Sequence, residues 1–152
     1  MMKSLVVDVT ENDLTYRIIG AAMQVHNQLG MGYKEEVYEK ALAAELELRG
    51  IGVIRQYPVS VTYEEQQVAL FYLDLFVENQ VVVELKAFSH QITSDELAQV
   101  INYLKATGAP VGLLFNFGRR KLEYKRVFPG KAGSGPVQRT GRDDILRSNR
   151  QR

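Results

Sequence analysis

The chain has 152 residues, 45% hydrophobic and 24% charged, with a formal net charge of +1, the composition of a single globular domain with one core. No apolar run approaches the ~20 residues needed to cross a bilayer, and Asp8 falls where a signal peptide would continue its apolar stretch. The absence of cysteine excludes a disulfide framework and thiolate metal sites, agrees with a cytoplasmic protein, and leaves carboxylates as the expected holders of any metal, which suits Mg²⁺, Mn²⁺ or Ca²⁺.

In chain order, Thr10-Glu-Asn-Asp13 resembles a capping box, and Leu14, Ile18, Ala21, Ala22, Val25 and Leu29 recur at helical spacing until Gly30-Met-Gly32 stops the helix. His26, beside Val25 on the apolar side, reads as a hydrogen-bonded structural histidine. A second helix is predicted from about Lys34 to Arg49, closed by Gly50, with Val37, Ala41, Leu42, Ala44 and Leu48 as its apolar side. Val53 to Tyr63 reads as a strand, and Pro58 suggests an edge or a bend.

A hairpin follows. Val68 to Val77 and Val81 to Ala87 are rich in β-branched and aromatic residues around the polar Glu78-Asn-Gln80. With that three-residue turn and Val77 paired to Val81, Asp74 faces Glu84, and Lys86 shares the face of Glu84. Directly opposed Cβ atoms lie ~4.5–5.5 Å apart, and like charges there repel. Such an arrangement in an apolar hairpin calls for a cation between the carboxylates. A two-residue turn would put Glu84 on the other face, so the expectation depends on register.

Thr93-Ser-Asp-Glu96 is a second capping box, opening a helix to about Thr107 with Gly108 after it. Its core stripe is Leu97, Val100, Ile101 and Leu104, with Glu96, Gln99 and Tyr103 on one flank. Val111 to Phe117 reads as a buried strand, and Leu122 to Phe128 as a basic amphipathic one. The order ααβββαββ predicts an α/β fold, a mixed sheet flanked by helices.

Charge is uneven along the chain. Residues 1–118 carry 8 Lys/Arg against 15 Asp/Glu, whereas residues 119–152 carry 11 against 3. A basic terminal region on an acidic body hints at nucleic-acid contact. Arg119, Arg120, Lys121, Lys125 and Arg126, interleaved with Tyr124 and Phe128, either protect an edge strand by charge or track a phosphate backbone. The Gly/Ser/Arg-rich segment 131–152 has the composition of a disordered basic tail, leaving residues 1–130 as the folded domain.

Gly32-Tyr-Lys-Glu35-Glu-Val-Tyr38 is a GxxExxY motif. With Asp74 and Glu84-Leu-Lys86 after it, and with Gly20-Ala-Ala, Val25-His26, Gln99, Tyr103-Leu-Lys105 and Leu113-Leu-Phe-Asn116-Phe-Gly118, the chain resembles the bacterial GxxExxY family of the PD-(D/E)XK nuclease superfamily over about residues 12–130. Two positions depart from the pattern: Leu73 precedes Asp74 in place of proline, and Met31 stands where the family commonly has proline.

The resemblance implies a restriction-endonuclease-like core and a metal-dependent nuclease. It implies Mg²⁺ or Mn²⁺ on Asp74 and Glu84, Lys86 beside the attacking water, Glu35 completing the acidic cluster and Gln99 supporting the site. Tyr38, Tyr103 and His26 would hold these groups in place. Nucleic acid, DNA or RNA, is the implied partner, and no membrane role is expected. Two alternatives stand beside this reading: a binding module on the same fold without turnover, and a small interaction protein using the acidic face of residues 34–47.

Overall fold

The computed structural model describes residues 2–130, with side chains from Asp13 onward; the predicted tail 131–152 lies outside the described residues. The elements are α1 (Met2–Leu29), α2 (Glu35–Leu48), β1 (Val53–Tyr63), β2 (Gln66–Val77), β3 (Val81–Lys86), α3 (Ser94–Thr107), β4 (Val111–Asn116) and β5 (Glu123–Val127). This is the ααβββαββ order. The five strands form one sheet in sequence order, antiparallel except for β3 and β4, which run parallel with α3 as the crossover. Parallel neighbours need such a connection, because a tight turn cannot reverse the chain twice.

Two apolar clusters lie on opposite sides of the sheet. Ile18, Ala22, Tyr38, Leu42 and Leu46 of α1 and α2 pack on Leu75, Val83, Leu85, Leu113 and Phe115. Val100, Ile101 and Leu104 of α3 pack on Phe76, Val82 and Leu114. β3 and β4, covered on both faces, are almost wholly buried, as expected for central parallel strands. β1 is an edge strand, which accommodates Pro58.

Local chemistry explains most boundaries. Thr93 Oγ1 accepts from the Asp95 N–H at 3.3 Å, and the Glu96 carboxylate accepts from the Thr93 N–H at 2.6 Å, so the start of α3 is capped from both sides. Gly108 ends it at φ +75. The hairpin turn places Glu78 and Asn79 at φ +52 and +54, the conformation that tight hairpins need, and pairs Val77 with Val81.

Two expectations need correction. α1 does not begin at the Thr10–Asp13 box but at Met2, because no Gly or Pro upstream interrupts it; Asp13 instead pairs with Arg17 at 3.7 Å. The buried side of α2 is Tyr38, Glu39, Leu42, Ala43 and Leu46, while Val37, Ala44 and Leu48 are exposed. The stripe was disguised because it contains a glutamate, whose burial depends on partners supplied by β1.

Candidate active site

The GxxExxY segment divides into a scaffold and one outward acid. Gly32 has φ +114, a conformation open to glycine and strained for other residues. The buried Tyr38 hydroxyl donates to the Gly30 carbonyl at 2.6 Å and accepts from the Tyr33 N–H at 3.2 Å, tying the α1–α2 turn to the start of α2. Its ring stacks on Phe117 at 4.7 Å. The exposed Glu35 is left to the surface at the first turn of α2.

Asp74 and Glu84 meet between β2 and β3. The β2–β3 ladder pairs Leu75 with Val83, and the next step in that register is Asp74 with Glu84. There the carboxylates take over from the ladder. Glu84 Oε2 accepts from the Asp74 N–H at 3.0 Å, and Asp74 Oδ2 accepts from the Leu85 N–H at 2.8 Å. Each carboxyl thus spends one oxygen on a main-chain amide of the neighbouring strand.

This closeness is electrostatically costly. Burial, with the Asp74 charge beside it, pushes Glu84 up to about 8, although the Asp74 amide and Lys86 pull the other way. Burial pushes Asp74 up to about 6, helped by Glu39 and Glu35 on α2 and opposed by the Leu85 amide and Lys86. Burial also raises the Tyr103 phenol on α3, and the charges of Glu84 and Asp74 add to it.

The half-buried Lys86 makes no ion pair among the described residues, and its ammonium lies 6.0 Å from the Phe88 ring centroid. Gln99, half-buried on α3, has no hydrogen-bond partner among the described residues. His26 is buried, with Nε2 2.9 Å from the Arg119 carbonyl and its ring 5.9 Å from Phe117, a structural placement that joins α1 to the loop before β5.

No three His, Cys, Asp or Glu side chains are arranged to hold a metal among the described residues. The Asp74–Glu84 pair nevertheless fits a hard cation. Two oxygen-bearing groups are forced together in a buried place, and Mg²⁺ typically takes one or two carboxylates, completing its shell with water and phosphate oxygens.

The basic residues do not form one stripe. Tyr124 and Arg126 pair with Phe115 and Leu113 and lie on the α1 side, whereas Lys125 pairs with Leu114 and lies on the α3 side. Arg126 Nε donates to Thr15 Oγ1 at 3.3 Å, and with Arg17, Arg49, Tyr16 and Tyr124 it lines a depression of about 370 Å³. Arg119 pairs with Glu123 at 3.6 Å, and Arg120 and Lys121 are exposed in the turn before β5.

Two residues to which the sequence assigns no role organise the surroundings. The wholly buried Asn116 accepts from the Phe88 and Gly118 amides at 2.9 and 3.0 Å, and donates to the His90 carbonyl at 2.9 Å and to Glu123 at 3.2 Å. It thereby fixes the chain leaving Lys86. Glu39, also buried, accepts from Arg55 and Gln56 and is the first α2 charge felt by Asp74. Its signal in the sequence was the spacing of four from Glu35, which puts both on one side of α2.

A family model described as the PD-(D/E)XK nuclease superfamily matches residues 12–127. The fold is similar to that in the crystal structure of SSO0001, with a TM-score of 0.51 at 10% identity, covering 76% of this chain and 57% of that one. The chain thus spans little more than half the length of that structure, and at this identity the likeness speaks for the fold alone. No curated protein matches the sequence. No helix among the described residues is long and apolar enough to cross a membrane.

Proposed function

The chain belongs to the PD-(D/E)XK nuclease superfamily, and from that premise we propose that it is a metal-dependent nuclease hydrolysing phosphodiester bonds of DNA or RNA. The observation that carries this reading is the meeting of Asp74 and Glu84 between β2 and β3, each anchored by a main-chain amide, with Lys86 on the same strand. In this reading both carboxylates hold Mg²⁺ or Mn²⁺. Such a cation, when bound, polarises a phosphoryl oxygen, lowers the pKa of a water and stabilises the leaving oxygen.

The protein's own groups do the rest. The Leu85 and Asp74 amides fix the carboxylates, so little reorganisation accompanies binding. Lys86 brings an ammonium that makes no ion pair among the described residues toward the negative charge that builds on the phosphoryl group, and its β3 backbone is held: the Lys86 carbonyl accepts from the Phe117 N–H at 2.8 Å. In this reading Glu35 on α2, whose charge is felt at Asp74, and Gln99 on α3 orient water or substrate. Arg120, Lys121 and Lys125 are exposed cations available to phosphate, while Arg119 pairs with Glu123 and Arg126 donates to Thr15.

The test is cleavage of single- and double-stranded DNA and RNA with Mn²⁺ or Mg²⁺ against EDTA, repeated with Asp74→Asn. Metal-dependent cleavage lost in the variant supports the reading. Binding without cleavage by the wild type favours a module without turnover, and neither binding nor cleavage favours an interaction protein.

A further inference from the structure

Residues two apart on a strand share a face, yet Leu75 packs with α1 and α2 whereas Leu73 packs with α3. β1 makes the same switch. Arg55 reaches Glu39 on α2, while Tyr57 lies on the α3 side against Phe76, ring centroids 4.7 Å apart. Both changes fall at one step. Arg55 pairs with Leu75 and Tyr57 with Leu73, and the residues between them, Gln56 and Asp74, are left out of the ladder.

Gln56 is the distorted residue, at φ +53. A non-glycine residue stays there only when its surroundings hold it. The hold is visible: Gln56 Nε2 donates to both oxygens of Glu39, at 3.0 and 3.1 Å. Glu39 itself is 6% exposed and takes a further bond from Arg55 Nε at 3.2 Å. Both its oxygens are therefore engaged by β1, which suits it to shaping the backbone and not to ligating a cation.

We infer that Glu39 is a positioning residue: by holding Gln56 in the left-handed conformation it interrupts the β1–β2 ladder opposite Asp74, so that Asp74 turns its amide and carboxylate toward Glu84 and Leu85. With the ladder intact, the Asp74 side chain would stand across the sheet instead of between β2 and β3, and its bonds to β3 would be lost. The inference deepens the proposed function and rests on it where metal affinity is concerned; the backbone effect does not depend on it.

The experiment compares Glu39→Ala with the double variant Glu39→Ala/Gln56→Gly. Calorimetry gives Mn²⁺ affinity, and amide exchange of Asp74 and Leu85 is read in the metal-free protein. Glu39→Ala lowers Mn²⁺ affinity about 10–100-fold, the range for a lost supporting residue, and speeds exchange of both amides about tenfold. Glycine adopts positive φ without strain, so adding Gln56→Gly restores affinity and protection. Should Glu39→Ala fail to fold, Glu39→Met, which fills the space but has no oxygen to accept from Gln56, makes the same comparison with and without Gln56→Gly. The inference is overturned if affinity and exchange are unchanged in the single variant, or if the loss persists in the double variant, since Glu39 would then act on the cation directly. If the wild type binds no Mn²⁺, the nuclease proposal fails, and amide exchange still decides the role of Glu39.

Discussion

Replacing Glu84 with glutamine should make the metal-free protein more stable at neutral and alkaline pH. In the folded chain burial and the Asp74 charge raise Glu84 from 4.5 to about 8. An acid whose folded pKa lies above its unfolded one keeps its proton longer when folded. Its contribution to stability is therefore present below pH 4.5 and is lost progressively as pH rises through 8. Between pH 6 and pH 8 the unfolded chain is already ionised while the folded one is still giving up its proton, a change of about 2 kcal/mol at 1.36 kcal/mol per unit. For a chain of this size that is a fall in melting temperature of about 4–8 °C. Glu84→Gln keeps the side-chain oxygen that accepts from the Asp74 amide and removes the charge, so its melting temperature in EDTA should fall much less over the same interval. Saturating Mn²⁺ should stabilise the wild type at pH 8, by about 2.7 kcal/mol at one hundred times Kd, and leave the variant unmoved. Scanning calorimetry at pH 6, 7 and 8, with EDTA or Mn²⁺, measures all of this. A wild-type melting temperature that stays level or rises from pH 6 to pH 8 in EDTA would falsify the account of two acids crowded without a cation.

Lys86→Ala should leave Mn²⁺ affinity nearly unchanged and lower cleavage about 10²–10³-fold, because the deleted charge serves the transition state; parallel calorimetry and initial rates separate the two effects, and an equal loss of both would remove the lysine from the chemistry. Tyr38→Phe should cost about 1–3 kcal/mol in denaturant unfolding, since the Gly30 carbonyl and Tyr33 amide lose a buried partner. Gly118→Ala should destabilise by at least about 1–3 kcal/mol, because its methyl would stand 2.5 Å from the Ala87 carbonyl carbon and 2.6 Å from the Phe88 nitrogen, against backbone that cannot move aside; an unchanged midpoint would contradict that close approach. Binding to nucleic acid should weaken with salt, and Lys125→Ala should reduce the slope of log K against log salt by about 0.9 on duplex DNA for the phosphate contact removed, as read by anisotropy titrations at several salt concentrations.

Much of this architecture was legible in the residues because it depends on neighbours along the chain. Thr93 and Glu96 cap α3 within one turn, Gly108 ends it, and the Glu78–Gln80 turn sets a register that carries Asp74 opposite Glu84. Period-two alternation then brings Glu84 and Lys86 to one face without any knowledge of the rest of the molecule. Gly32 and Tyr38 of the GxxExxY motif were visible as residue types, whereas their shared task, closing the α1–α2 turn, emerged only when Tyr38 met the Gly30 carbonyl.

What tertiary structure alone decided involves partners distant in sequence. Glu39 reads as one charge among several on a solvated helix until Arg55 and Gln56 reach it from β1 and make its burial tolerable. Gln56 has no intrinsic reason to adopt positive φ, and it does so because Glu39 holds its amide. Strand alternation separates Arg126 from Lys125, but pairing with β4 decided that Arg126 takes the α1 side and Lys125 the α3 side. Asn116 fixes the segment after Lys86 through the Phe88 amide and the His90 carbonyl, 28 and 26 residues away. Local propensity set the elements and placed the two acids opposite one another; long-range hydrogen bonds decided how the backbone bends to bring them into contact.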